Sequence, residues 1–263
     1  MNNIRYGLSA FSQEQFASLP SQLPEMLKAV EFPGEILSSE SGIQKLESLK
    51  KNGVLLVGRD FISPDWAASI PDMNCRLRFE LEMHLQELCE KAASIGVSCF
   101  SVAFDLFHAV SSEIYREQLS RFLRRCAGVI HPLKQKMLLV CRIPGGGTFE
   151  EWESILKFRQ ELLCPGIDFL LELHPHEPNA PEIFAKALRT FRLHDTFRRI
   201  CYDSSVGNSM TAGALKCCSD TAARDLKLDT VIFLNPGTKK FDSCQLTELE
   251  KVVREFRSAF SEE

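Results

Sequence analysis

The sequence predicts an α/β fold, a single (β/α)8 barrel in which residues 1–263 form one domain. Three observations predict it. Eight strand-like apolar runs begin near residues 5, 29, 54, 97, 137, 168, 198 and 230. Helical patterns separate them, and no composition break or linker divides the chain. Alternating β and α units imply a parallel sheet with right-handed crossovers, and eight such units in this length match a closed barrel. An open doubly wound sheet would need a Gly-rich fingerprint after the first strand, and Gly7-Leu8-Ser9 is not one.

Taken in order, the first strand is Arg5 to Ala10, and a segment with Met26 and Leu27 leads into the second, Ala29-Val30-Glu31-Phe32. Ile43 to Lys50 is helical in pattern, and Gly53 introduces the third strand, Val54 to Gly58. Asp60 to Asn74, with Pro64 and Pro71, reads as a long loop. Cys75 to Ser94 is an amphipathic helix with Gly96 in the stop position, followed by the fourth strand, Val97 to Phe104. Ser112 opens a long helix whose expected buried stripe is Ile114, Leu119, Phe122 and Leu123. The fifth strand, Met137 to Cys141, is apolar throughout, as a strand covered on both faces should be. Thr148 and Glu151 form a capping-box pattern for a helix carrying Trp152, Ile155, Leu156 and Phe158. The sixth strand begins at Asp168, and Pro181 starts the next helix at a favoured first-turn position. Arg198 to Tyr202 and Thr230 to Leu234 are strands seven and eight. Leu246 to Phe260 closes the chain, with Leu249, Val252, Val253 and Phe256 at helical spacing.

Net charge is −4, so no basic footprint invites nucleic acid or an anionic membrane. The N-terminus lacks a signal-peptide pattern, and no apolar run approaches the roughly 18 residues of a membrane helix. The expectation is a soluble cytoplasmic protein, with a homo-oligomer allowed. Ten cysteines are scattered without a C-x-x-C; Cys99, Cys141 and Cys201 fall inside strand-like runs, where a thiol packs as a small hydrophobe. Reduced structural thiols are expected.

In a barrel of this kind functional groups sit where strands end and the following loops begin. On the sixth strand, Leu170, Glu172 and His174 alternate onto one face and Phe169, Leu171 and Leu173 onto the other. Pro175 then bends the exit before His176. A carboxylate and an imidazole two residues apart suit a divalent metal, and equally a Glu–His hydrogen bond at the rim. Asp203, after the seventh strand, fits a third ligand, an acid/base residue or a helix cap. Glu31 places a carboxylate on strand two, Asp105 and His108 follow strand four, and Asn235 follows strand eight. Arg142 with Gly145-Gly146-Gly147 and a helix start at Thr148 makes a candidate anion site. No Walker sequence, G-x-S-x-G elbow or H-E-x-x-H is present.

Ala29-Val30-Glu31, Ala92-Ala93-Ser94-Ile95-Gly96-Val97 and Phe169-Leu170-Leu171-Glu172-Leu173-His174 resemble segments of the xylose isomerase-like superfamily of TIM barrels, which includes sugar phosphate isomerases/epimerases. The resemblance implies a divalent metal (zinc, manganese or magnesium) held by acids on strands five, six and eight and a further group on strand seven. Residue by residue, that gives Glu172 with His174 and Asp203 as metal ligands. Cys141-Arg142 and Leu234-Asn235 stand where two acids would be, so the metal site is degenerate. The implied function is isomerase or epimerase chemistry on a small sugar, sugar phosphate or polyol derivative, by proton transfer next to a carbonyl. Glu172 and Glu31 would be the acid/base groups, with Arg142, His108, His176 and Asn235 on the substrate. The alternative is an inactive barrel of the same descent that binds a sugar-like ligand or a protein partner.

Overall fold

The computed structural model describes residues 4–70, 74–142, 149–173, 197–201 and 230–261. Its strands are β1 (Ile4–Ser9), β2 (Leu27–Pro33), β3 (Leu55–Arg59), β4 (Cys99–Val102), β5 (Lys136–Arg142), β6 (Ile167–Leu173), β7 (Phe197–Cys201) and β8 (Thr230–Asn235). Each pairs in parallel with its neighbour, and β1 pairs with β8 from Ile4↔Thr230 to Leu8↔Leu234, so the barrel closes. Closure leaves no exposed sheet edge.

The strand sequences explain the two cores. Outward residues such as Leu8, Val30, Phe100, Leu139, Phe169 and Leu234 join one large cluster with the helices. Inward residues Ala29, Val57, Cys99, Leu138, Val140, Leu170, Val231 and Phe233 fill the barrel itself. Apolar residues on both faces are what a helix-covered parallel sheet requires. Gly7 is fixed by a close approach: a Cβ there would lie 2.5 Å from the Ala29 carbonyl oxygen and 2.6 Å from its Cβ. Gly7→Val is therefore expected to cost about 1–3 kcal/mol or more in a urea melt, because the obstructing atoms belong to the paired strand. A cost under about 0.5 kcal/mol, the size of an ordinary surface change, would show that the two strands can part there.

The long helices follow their stripes and caps. They are α2 (Glu40–Lys51), α4 (Cys75–Ser94), α6 (Glu113–Ile130), α7 (Phe149–Leu162) and α8 (Ser243–Ser261), with short α1 (Gln13–Ser18), α3 (Pro64–Ser69) and α5 (Leu106–Ser111) between them. Ser39, Asn74 and Ser112 accept the first-turn N–H bonds of α2, α4 and α6. Gly96 takes φ +75° beyond α4, the left-handed stop a glycine supplies. In α7, Trp152, Ile155 and Phe158 are buried, while Thr148 lies outside the described residues.

Two expectations are corrected. Ile114 is 76% exposed, because the buried stripe of α6 runs through Tyr115, Leu119, Phe122, Leu123 and Cys126, one position on. The stretch from Asp60 to Asn74 is no plain loop: α3 begins on Pro64 and is capped by Ser63, whose oxygen accepts from the Trp66 N–H. The eight described cysteines are free thiols, with Cys99, Cys141 and Cys201 buried as expected. Among the described residues no helix is long and apolar enough to cross a membrane.

Candidate functional site

The upper barrel interior is polar. In register, Ser9 on β1 lies beside Glu31 on β2, Arg59 on β3 beside Ser101 on β4, and Glu172 on β6 beside both Arg142 on β5 and Arg199 on β7. Side-chain alternation turns these residues inward above the apolar layer of Ala29, Val57, Leu138, Leu170 and Phe233.

Arg199 sits at the centre, 1% exposed. Its Nε donates to Glu31 Oε2 at 2.8 Å and its Nη2 to Glu31 Oε1, a two-pronged grip on one carboxylate. Nη1 donates to Glu172 Oε2 at 2.5 Å, and Nη2 also reaches Ser101 Oγ at 3.0 Å. Ser101 and Ser9 donate their hydroxyls to Glu31. Glu31 is fully buried, which pushes its carboxyl up. The Arg199 charge and hydrogen bonds, with Arg59 and Ser9, outweigh that and hold it below the usual carboxylate range. Burial lowers the Arg199 pKa, but Glu31 and Glu172 raise it further, so the guanidinium stays charged. Burial also pushes the Cys201 thiol, at the end of β7, up to about 12, with Glu172 adding to it. That thiol is no nucleophile at neutral pH.

A cavity of about 510 Å³ opens above this cluster. Arg199 and Glu172 form part of its wall, with Arg59 on one side, Arg142 on the other, and the starts of α3 and α5 at the rim. Arg59 lies with its guanidinium carbon 3.5 Å from the Phe11 ring centroid, and its Nε donates to Asp60 Oδ2 at 2.8 Å. Asp60 itself takes φ 52°, an uncommon conformation for a non-glycine residue, tied down by its N–H bond to the Ser101 carbonyl.

The structure brings Glu31 and Glu172 together through one guanidinium and puts Arg142 in the same cavity. The other candidates are placed differently. The ring of His108 packs on Tyr115 at 4.7 Å between centroids, and His108 is not in the cavity lining. Asn235 is buried with its amide spent on the backbone, donating to the Ser9 carbonyl at 2.6 Å and accepting from the Gly237 N–H at 2.7 Å. That ties β8 to β1 below the mouth. His174, His176 and Asp203 lie outside the described residues. Sequence reasoning missed Arg199 and Arg59. The available signal was period-two alternation, which puts Arg199 on one face with Cys201, together with two inward glutamates in need of a counter-ion.

The described donors do not fit a divalent metal. Among the described residues no group of three His, Cys, Asp or Glu could hold one. Both inward glutamates are already ion-paired with Arg199, beside which a metal ion would face a fixed positive charge.

Comparison with solved structures gives the fold. The chain has the fold of the xylose isomerase-like TIM barrel epimerases. In particular it is similar to a D-tagatose 3-epimerase-like protein, with TM-score 0.67, 17% identity and 98% of each chain covered. It is also similar to the 3-keto-D-glucoside 4-epimerase of E. coli, with TM-score 0.65, 12% identity, 97% of this chain and 99% of that one covered. Xylanase 10B from Thermotoga maritima matches as well, with TM-score 0.61 and 12% identity over 97% of each chain. A glycosidase among the matches means that the likeness carries the fold and leaves the chemistry to the site. No protein-family model matches the sequence, and no curated protein matches it.

Proposed function

We propose that the chain is an isomerase/epimerase-like barrel that acts on a small sugar, sugar phosphate or polyol derivative by proton transfer next to a carbonyl. The observation that carries this reading is Glu172, a carboxylate in the wall of the mouth cavity held against a permanently charged guanidinium. A carboxylate placed beside a carbonyl's α-carbon can take its proton, and a fixed cation stabilises the enediolate that forms. In this reading Glu172 is the base and Arg199 the cation. Arg142 contacts the substrate from β5. Glu31, with both oxygens engaged below the cavity, positions Arg199. The cation is supplied by the chain itself, and no step passes through a metal. The same reading takes the chain as one domain that works in the cytoplasm, and it takes no nucleic acid as partner, a point the net charge of −4 supports.

Proton transfer next to a carbonyl leaves a trace in heavy water. Incubating the protein with a panel of ketoses, aldoses and their phosphates in D2O is expected to wash deuterium into one α-position, read by NMR. Glu172→Gln is expected to slow that exchange by about 10²–10⁴-fold, the usual contribution of a positioned base. Exchange into no member of the panel, or exchange undiminished in Glu172→Gln, would sink the assignment.

One observation favours a second reading, a non-catalytic barrel that binds a sugar-like ligand or a protein partner. Glu172 Oε2 already accepts a hydrogen bond from the Arg199 guanidinium, so this oxygen is engaged by the chain itself. Saturable sugar binding without deuterium exchange is the result that selects this reading.

A further inference from the structure

Among the described residues seven large apolar side chains are exposed, and four of them, Trp66, Leu77, Phe79 and Met83, lie on α3 and the first half of α4. A helix on the outside of a barrel normally turns polar residues to water. On α4, Arg76, Phe79, Met83, Gln86 and Glu90 follow one another at spacings of three and four, so they form one stripe. Phe79 is 60% exposed and Met83 50%. A stripe at this spacing with an apolar middle is the seam along which one helix packs on another. The charges at its ends point the same way. Arg76 stands in the first turn, where the helix dipole favours an acid, and α4 has no acid there. Glu90 stands near the last turn, where the dipole favours a base, and Lys91, the base present, is engaged by Glu87 at 2.7 Å. Arg76 pairs with Glu80 in the weaker order, base before acid, with side chains 87% and 48% exposed, so that pair holds it loosely. Glu90 accepts from Gln86 of its own helix at 2.8 Å.

We propose that this face of α4 is a homodimer interface: a second copy of the chain packs its own α4 antiparallel on the first, about a twofold axis at Met83. Such a contact is isologous, so each residue meets the one equally far along on the other side of the axis. Arg76 and Glu90 lie seven residues either side of Met83, so Arg76 meets Glu90 of the partner subunit and the reverse pair forms as well. Met83 meets its own copy, and Phe79 lies over the aliphatic stems of Gln86 and Glu87 of the partner subunit. Antiparallel helices also set the positive end of one beside the negative end of the other, so charges that oppose their own dipole agree with the neighbour's. Trp66, edge-on to the His84 ring with centroids 5.9 Å apart, widens the face onto α3. A second copy is the occupant because the stripe complements itself, with one base and one acid at equal distances from an apolar centre. A uniformly basic or acidic partner would meet one match and one clash. One helix pair with a flank is at the low end of interface size, so the dimer is expected to be weak, with a Kd of about 1–100 µM. The interface is separate from the mouth cavity, whose described wall includes none of these α4 residues.

The test is sedimentation velocity of the full chain from about 1 to about 300 µM, a range that brackets the expected Kd. The parent is expected to pass from monomer to dimer across it. Met83→Glu puts two like charges together on the axis and is expected to raise the Kd by about tenfold or more. Arg76→Glu sets acid against acid at both ends of the seam and is expected to raise it by about fivefold or more. Adding Glu90→Arg to that variant reverses both partners, and the Kd is expected to return to within about threefold of the parent. Arg76 and Glu90 are exposed, and Arg76→Glu suits the helix dipole, so circular dichroism is expected to show each charge variant folded. If Met83→Glu does not fold, the loss and recovery in the charge variants carries the reading, since a role confined to one chain would give neither. A parent that stays monomeric throughout would overturn the proposal and leave the face to a different protein. A dimer that folded Met83→Glu leaves intact would overturn it by placing the contact on another surface. A double variant no tighter than Arg76→Glu would overturn the antiparallel pairing itself.

Discussion

Replacing Arg199 with methionine is expected to destabilise the protein by about 3–5 kcal/mol, the usual consequence of stranding buried charges. The reason is the number of groups that depend on it. Glu31 is 0% exposed and Glu172 8%, and Arg199 is hydrogen-bonded to both. Without the guanidinium, Glu31 keeps two serine hydroxyls and a distant Arg59, too little to offset the desolvation of a carboxylate. Methionine fills much of the space, so lost packing contributes little. A urea melt at neutral pH reads the effect, and a cost under about 1 kcal/mol, the scale of a surface ion pair, would show that the cluster is far more hydrated than its burial implies. The triple variant Arg199→Met/Glu31→Gln/Glu172→Gln separates charge from packing. Removing all three charges together is expected to recover at least about half of the loss, because replacing a whole buried ion set is far milder than breaking it. If the triple variant is as unstable as the single one, hydrogen-bond geometry rather than unpaired charge dominates.

The same cluster marks the boundary of what could be read from the sequence. The eight strands were legible because a strand covered on both faces must be apolar nearly throughout, and such runs stand out between polar helices and loops. The long helices were legible from stripe and cap, down to the bounds of Cys75–Ser94. The six-residue helices α1, α3 and α5 were not, since each is shorter than two turns and shows no period. At the site, alternation along β6 put Glu172 on one face with Leu170, and its place after an apolar run marked it as a site residue, but its partner did not follow. Arg199 meets Glu31 across 168 residues of sequence, in a strand paired with neither β2 nor β3. Alternation says that Arg198 and Arg199 face opposite ways, and only the closed barrel decides which of them enters. Arg142 was legible as a cation near the mouth. That the cation between the two glutamates is Arg199 depends on how far a side chain crosses the barrel, which no local pattern records.

Acid is expected to attack this cluster first. The folded-state pKa of Glu31 lies below its ordinary value, while the unfolded chain titrates this group near about 4.3. The unfolded state therefore binds the proton first as pH falls. The stabilisation from Glu31 is fully present above the unfolded pKa and is lost as pH drops towards the folded one. Asp60 works in the opposite sense: burial raises its carboxyl against the pull of Arg59 and Arg199, so the folded state takes up its proton earlier than the unfolded chain. Asp60 is 23% exposed at its side chain and Glu31 is not exposed at all, so the Glu31 contribution dominates. Urea melts between about pH 6 and about pH 3 are expected to show stability falling more steeply in the parent than in the triple neutral variant. One proton's difference corresponds to about 1.4 kcal/mol per pH unit. Parallel slopes in the two proteins would mean that Glu31 titrates alike in both states, and that the buried guanidinium does not hold it ionised. A shallower slope in the variant would tie the acid sensitivity of the barrel to the residues that build its mouth.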